Sequence, residues 1–404
     1  MDKEISVAVV SEPIGKSPEE VACSFVFDEV HRLARKGVNV HVIRGKIEED
    51  STSYGIHFHG MEKMIDPQAL NMLIKNITFY PPISLLRNPV YLYWENLYAL
   101  NVSKIIEKYN LDLIHAHFAY REGLVGLLAK ARTKKPLVVT SHGYDLNILH
   151  NYKYGIRRYP QYDKLVRLVM REGDLIIVPC RLLYKRALEA GAYVSKVIVI
   201  PNAVDISVFN PNINGLEFRK KYRLSKEPLV LTIRNLRPWY RVDKVLDVAE
   251  IVLKKINAYF FVIGDGELRD TLIRAAKKRK INHKVHFVGK VPHSEIPKAL
   301  AAADIVFDPC PIGQGINVLE AMAHAKPVVG IDTKGMWDYV VDKETGFLVD
   351  FANNESIAEK IIYLIQNEEE AVRMGVNGRK LVEREYNMEK RTSRIFELYK
   401  KIIG

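Results

Sequence analysis

Between Pro309 and Gly330 the chain reads PCPIGQGINVLEAMAHAKPVVG, a glycine-flanked turn that runs into a short amphipathic helix and then an apolar strand. Such a turn suits a phosphorylated ligand. Gly313 and Gly315 let the backbone approach closely, and the free N–H groups from Ile316 onward point at an anion with the positive end of the helix dipole behind them. Gln314 and Asn317 add polar groups beside the turn. Glu320 falls just over one turn into the helix, where a carboxylate repels phosphate but accepts two hydrogen bonds from a ribose diol. A whole nucleotide therefore fits better than a bare phosphate. Read alone, the segment is equally a helix-capping turn with a surface glutamate.

Other segments could complete such a site. Arg234, in the run RNLRPWYR, follows an apolar strand, and Arg237 and Arg241 lie close behind it; guanidinium groups bind phosphate bidentately and keep their charge. His142, in TSHGYD, sits at a strand end before a glycine, where a ligand-facing role outweighs that of a satisfied buried histidine. Asp145 either orients that loop as an Asx turn or touches substrate. Glu267, in GDGE, reads as a first-turn helix acid or a ligand contact. Gly289, Lys290 and Val291 form another turn after a strand. His115 and His117 stand two apart, hence on one strand face, and are read as packing or support rather than as a metal pair. No two aspartates stand two apart, so no Asp-x-Asp metal signature exists and no metal ligand is assigned.

These residues need strands to hold them. Continuous apolar runs (ISVAVV, VNVHVI, LDLIHAHF, PLVVTSH, DLIIVPC, KVIVIPN, then LVLTIR, AYFFVIGD, KVHFVG, DIVFDP, KPVVGI) alternate with helical patterns such as Val21 to Lys36, Gly123 to Ala131, Lys244 to Ile256 and Leu268 to Lys280. That alternation predicts parallel sheets covered by helices on both faces. The Pro-, Asn- and Gly-bearing stretch from Asp205 to Glu227 is the best linker, which gives α/β domains at 1–205 and 206–385 and a basic amphipathic helix at 386–404. Open parallel sheets bind ligands beyond the carboxyl ends of their strands, so the expected site is the cleft between two doubly wound, Rossmann-like domains.

Composition bounds the rest. With 404 residues, 48% apolar and 27% charged, the chain suits a two-domain soluble protein, and no apolar run is long enough for a membrane span. The N-terminal MDKEISVAVV reads as a first strand rather than a signal peptide, so a cytoplasmic location is expected, with the cytoplasmic membrane face left open. A net charge of +12 permits anionic partners without choosing among them; no nucleic-acid role is assigned. Cys23, Cys180 and Cys310 are far apart and beside apolar runs, as buried reduced thiols would be. The aromatic stretch from Leu70 to Leu97 reads first as a packed helix pair, with an acceptor pocket or a membrane-facing patch as the other readings.

Taken in order, TSHGYDL, IPNAVD, the arginine after LVLTI, GDGELRDTL, VHFVGKV and LEAMAHAKPVVG resemble the retaining glycosyltransferases of the GT-B fold, specifically glycosyltransferase family 4, over nearly the whole chain. The first-domain text is similar to the branch acting on exported and cell-surface polysaccharides. The resemblance implies that Glu320 binds the nucleotide ribose, that Arg234 with the backbone of Gly315 and Ile316 holds the diphosphate, and that His142 reaches the donor sugar. It also implies that the turn Gly289 to Val291 meets the base, and that neither metal nor other cofactor is needed. The substrates would be a nucleotide-diphosphate sugar donor and a glycan or lipid-linked acceptor, with peripheral membrane association left open. Three places depart from the family pattern. Ile312 replaces the first of two glutamates spaced eight apart, which raises a pseudoenzyme or regulatory subunit as the alternative. Arg237 or Arg241 stands in for a lysine after Arg234. Pro13-Ile14-Gly15-Lys16 replaces a double-glycine loop, with Gly15 the remaining candidate for substrate contact.

Overall fold

The computed structural model describes residues 4–17, 24–61, 63–80, 88–312 and 315–404. The chain divides into two compact units, Met1–Pro201 with Arg391–Gly404, and Asn202–Lys390.

In the first unit, β1 (Ser6–Val10), β2 (Asn39–Ile43), β3 (Ser51–Ser53), β4 (Ile56–His59), β5 (Leu113–His117), β6 (Leu137–Thr140), β7 (Leu175–Val178) and β8 (Val197–Val199) form one sheet in the order β3-β4-β2-β1-β5-β6-β7-β8. All neighbours pair parallel except β3 with β4. Alternate residues feed opposite faces: Ala8 and Val10 join one core, Val7 and Val9 the other. Both faces are dry, which is why these strands read as unbroken apolar runs. The helix Pro89–Tyr109 starts with Asn88 accepting from Tyr91 N–H and proline in its first turn, and ends with Asn110 in the left-handed conformation. It buries Leu92, Leu97, Tyr98 and Leu100, so this part of the aromatic stretch takes the packing role, while Pro81 and Pro82 lie outside the described residues. The helix Met388–Ile403 returns to this unit, placing Ile395 and Tyr399 in its second core.

The second unit carries β9 (Leu229–Ile233), β10 (Tyr259–Ile263), β11 (Val285–Gly289), β12 (Ile305–Asp308), β13 (Val328–Ile331) and β14 (Gly346–Val349), all parallel, in the order β11-β10-β9-β12-β13-β14. The chain steps outward from β9 to β10 and β11, then crosses to β12 on the other side of β9. This reversal opens a crevice beyond the carboxyl ends of β9 and β12. The first sheet reverses in the same way between β1 and β5.

Sequence expectation and structure differ in three elements. Strands β3, β4 and β14 were not expected; they are three or four residues long, β3 is wholly polar and β4 alternates apolar residues with histidine, too short for a period to register. The helix expected from Val21 is described as Ser24–Arg35. Cys180 and Cys310 are buried and in no disulfide, and Cys23 lies outside the described residues.

Candidate functional site

The crevice of the second unit is built on a buried ion pair. Arg234, just after β9, donates through Nε to Asp308 Oδ1 (2.9 Å) and through Nη2 to Asp308 Oδ2 (2.5 Å), and Asp308, the last residue of β12, is wholly buried. Burial works against the guanidinium charge, but the facing Asp308 carboxylate outweighs it and raises the arginine above its ordinary pKa. The Tyr240 ring lies 5.3 Å from the guanidinium carbon. Nη1 makes no hydrogen bond among the described residues.

Gly315 closes over this pair. A Cβ there would stand 1.9 Å from Asn317 Oδ1 and 2.4 Å from Arg234 Nη2, so only glycine lets the chain pass. The helix Ile316–Ala323 begins at once, with no side-chain cap, leaving its first N–H groups without intrahelical partners. Asn317 is buried with Nδ2 unpartnered, and Glu320 is buried with Oε1 3.2 Å from His293 Nε2. Gly313 and Gln314 lie outside the described residues. Ile312, in the place of the absent glutamate, is 8% exposed and so packs inward.

The other second-unit candidates surround this centre less tightly. Arg237 is 3.8 Å from Glu267, both half-exposed. Arg241 is tied to Asp243 (Nη2 to Oδ2, 2.7 Å), and its guanidinium carbon lies 4.8 Å from the Phe351 ring centroid. Gly289 has φ 87° and its carbonyl accepts from Gly264 N–H at 3.0 Å; Lys290 is exposed, and Val291 packs on the core. Gly264 itself has φ 141°, and a Cβ would meet the Arg234 carbonyl at 1.9 Å. A Gly264→Ala chain is therefore expected to lose more than about 1 kcal/mol of stability, read as a lowered urea midpoint at unchanged slope.

In the first unit, His142 follows β6 and is half-buried, packed between Phe25 and Phe118 with ring centroids 4.8 and 4.7 Å away. Phe118 holds φ 75°, a conformation costly for a bulky side chain. His142 Nε2 lies 3.1 Å from His117 Nδ1, whose Nε2 faces Glu29 Oε1 at 3.7 Å; Arg391 donates twice to Glu29 Oε2. Burial, reinforced by neighbouring positive groups, pushes His142 well below the usual histidine range, and burial lowers His117 to about 4. Both rings are neutral at pH 7. Asp145 anchors its loop: it is fully buried and accepts from Ala119 N–H, Ser141 Oγ–H and Gly143 N–H. Burial still raises its pKa despite these donors. Gly15 is buried in the turn after β1.

Glu29, His115 and His117 form the one group of metal-capable side chains among the described residues. Both His115 nitrogens are engaged, with Tyr399 Oη at 2.5 Å and Thr140 Oγ1 at 2.7 Å, and Arg391 occupies one Glu29 oxygen. The donor set does not suit a cation. Sequence reasoning missed Asp308, His293, Glu29 and Arg391. An acid closing a buried strand, DIVFDP, was the available signal for Asp308; nothing local marked the other three.

Two doubly wound parallel-sheet units in one chain, with a glycine turn, a helix start and a buried arginine at the second switch point, define a transferase of the GT-B fold. The model described as glycosyl transferases group 1 matches residues 215–381, and that of glycosyltransferase family 4 matches residues 24–208. N-acetyl-alpha-D-glucosaminyl L-malate synthase of Bacillus anthracis is 24% identical over 339 residues, covering 82% of this chain and 86% of its own. A GDP-mannose-dependent alpha-(1-6)-phosphatidylinositol monomannoside mannosyltransferase of Mycolicibacterium smegmatis is 25% identical over 312 residues (74% and 79%). Among solved structures, Anabaena HepE in complex with UDP superposes with TM-score 0.73 at 17% identity, covering 99% of this chain and 100% of that one. The chain belongs to the family 4, group 1 glycosyltransferases and is an enzyme of that class. Among the described residues, no helix is long and apolar enough to cross a membrane.

Proposed function

We propose that the protein is a retaining, metal-independent transferase that moves a hexosyl group from a nucleotide-diphosphate sugar to a glycan or lipid-linked acceptor, working at a membrane surface in the lipid case. The observation that carries the donor half is the Arg234–Asp308 pair directly beneath the Gly315 turn and the start of the Ile316–Ala323 helix. Diphosphate oxygens there meet N–H groups and the free edge of Arg234, which supply the positive field a cation provides elsewhere. Glu320 takes the ribose hydroxyls, with His293 orienting its carboxylate, and the backbone at Gly289 to Val291 takes the base. His142 serves the donor sugar. Retention follows if the leaving phosphate accepts the acceptor's proton on the same face, so the protein supplies orientation and charge stabilisation rather than a general base.

The relatives' printed activities support a nucleotide-sugar donor and include a lipid acceptor, and HepE's bound UDP supports a nucleoside diphosphate. A pseudoenzyme is the less favoured reading, because Ile312 packs inward and Arg234, Glu320 and His142 all remain. Calorimetric titration with UDP, GDP and ADP tests the donor site. One nucleotide is expected to bind, and Glu320→Ala should weaken it about tenfold or more, as loss of hydrogen bonds to a charged group does. The same variant should erase discrimination against the 2′-deoxy and 3′-deoxy nucleotides. Undiminished discrimination would remove Glu320 from the ribose role.

A further inference from the structure

The carboxylates of the second unit's crevice each have a partner. Asp308 accepts from Arg234 on both oxygens, and on Oδ1 also from Cys310 N–H at 3.3 Å. Glu320 faces His293, Glu267 faces Arg237 at 3.8 Å, and Asp332 takes the Trp337 indole N–H. Where the family pattern has one more glutamate stands Ile312, 8% exposed. It joins neither apolar core of its unit, so its branched side chain is apolar surface of the rim rather than core filling. A sugar that turns only hydroxyl groups toward this rim finds no carboxylate for their protons.

The same rim holds an unused donor. Asn317 is 7% exposed, and its Oδ1 lies at the Gly315 turn, where a Cβ would come within 1.9 Å of it. Its Nδ2 is buried with no hydrogen-bond partner among the described residues. A buried N–H left unmade is costly, so a ligand that brings an oxygen to it binds with that cost relieved. Arg234 and the first N–H groups of the Ile316–Ala323 helix meet the diphosphate in the reading above, which leaves this amide to the sugar. An N–H donor beside a branched aliphatic group is the complement of a carbonyl oxygen beside a methyl. Among hexose substituents, a hydroxyl brings a proton and no methyl, a deoxy carbon brings a methyl and no acceptor, and a carboxylate brings charge onto an aliphatic surface. An acetamido group brings both parts and no charge.

We infer that the donor carries an N-acetylhexosamine, its acetamido carbonyl accepting from Asn317 Nδ2 and its methyl resting on Ile312. The inference rests on the donor site proposed above and names the sugar that site takes. Calorimetry compares UDP-N-acetylglucosamine with UDP-glucose and UDP-N-acetylgalactosamine with UDP-galactose, or the same pairs of GDP or ADP esters where that nucleotide binds more tightly. Within a pair the base, ribose and diphosphate are shared, so the affinity ratio reports the sugar alone. In one pair or both, the acetamido ester should bind about tenfold to a hundredfold more tightly. Ile312→Glu should bring that ratio to one or below, because its carboxylate accepts hydroxyl protons and cannot hold a methyl. Asn317→Ala should cost the acetamido ester about tenfold while free nucleotide binds as to the parent. Free nucleotide is measured for every chain, so misfolding cannot imitate either result. Equal or tighter binding of the plain hexose in both pairs, a ratio unmoved by Ile312→Glu, or a preference for the glucuronate ester would each overturn the inference. So would an Asn317→Ala loss shared equally by free nucleotide, which would give the amide to the diphosphate. Each of these leaves the donor site standing, since free nucleotide still binds; failure of UDP, GDP and ADP alike to bind would overturn the donor site first and this inference with it.

Discussion

An Arg234→Ala chain is expected to transfer sugar roughly a hundredfold to a thousandfold more slowly than the parent, the scale seen when one donor aimed at developing charge is removed. The reason lies in how Arg234 is held. With Nε and Nη2 fixed on Asp308, the guanidinium cannot swing, and Nη2 also lies against the Gly315 turn, whose missing Cβ leaves room beside it. The affinity lost should follow the number of phosphates. Nucleoside diphosphate should bind more weakly to the variant while nucleoside monophosphate, which does not reach the pair, binds nearly as before. Equal losses for both would mean that the change had spread through the unit rather than touched the diphosphate. Asp308→Asn tests the support. It keeps the shape but leaves a buried cation without its counter-charge, so a stability loss of about 3–5 kcal/mol is expected, partly recovered by bound nucleotide. Arg234→Lys should not restore the parent, because an ammonium cannot make the paired contact.

That pairing explains where sequence reading stops. Arg234, Gly315 and Glu320 each carry their meaning in a few neighbouring residues: a strand end, a turn before a helix, an acid one turn in. Asp308 does not. Its partner is 74 residues away, and the two meet because β12 returns beside β9, a fact of sheet order rather than of local pattern. The same holds for Glu29 and Arg391, 362 positions apart. The longer buried strands were legible because both faces are covered and their runs, with the flanking residues, are mostly apolar. Strand β4 was not, because His57 and His59 interrupt four residues whose inward members are only Ile56 and Phe58. Asp145 shows the opposite case: the Asx-turn pattern was visible, but its complete burial among backbone and hydroxyl donors depends on Ala119 from another segment.

Replacing His117 with alanine is expected to create a pH dependence that the parent lacks. Glu29 Oε2 accepts twice from Arg391, and its Oε1 lies 3.7 Å from His117 Nε2, too far for a hydrogen bond but near enough to favour the tautomer with the proton on that nitrogen. His117 Nδ1 is then an acceptor, and His142 Nε2–H donates to it, leaving His142 Nδ1 as a bare acceptor for a sugar hydroxyl. Because burial holds His142 well below the ordinary range, the parent's rate should show no step near 6.5 attributable to this ring. Alanine leaves space beside the His142 ring for water and so relieves the burial that is the largest cause of the depression. His142 should then titrate nearer 6.5, and the variant should lose activity as pH falls through that value, by about tenfold or more for a misplaced catalytic proton. Stability moves the other way. In the parent, His117 is neutral when folded down to about pH 4 but protonates near 6.5 when unfolded, so its contribution is complete above 6.5 and is lost as pH falls toward 4. The variant should show a shallower acid loss over that window. Imidazole nitrogen shifts report the tautomer directly: in the parent, His142 should carry its proton on Nε2, and in the variant the two forms should mix. A parent spectrum with the proton on Nδ1, or rate profiles that superpose, would mean that the Glu29–His117 pair does not set the state of His142.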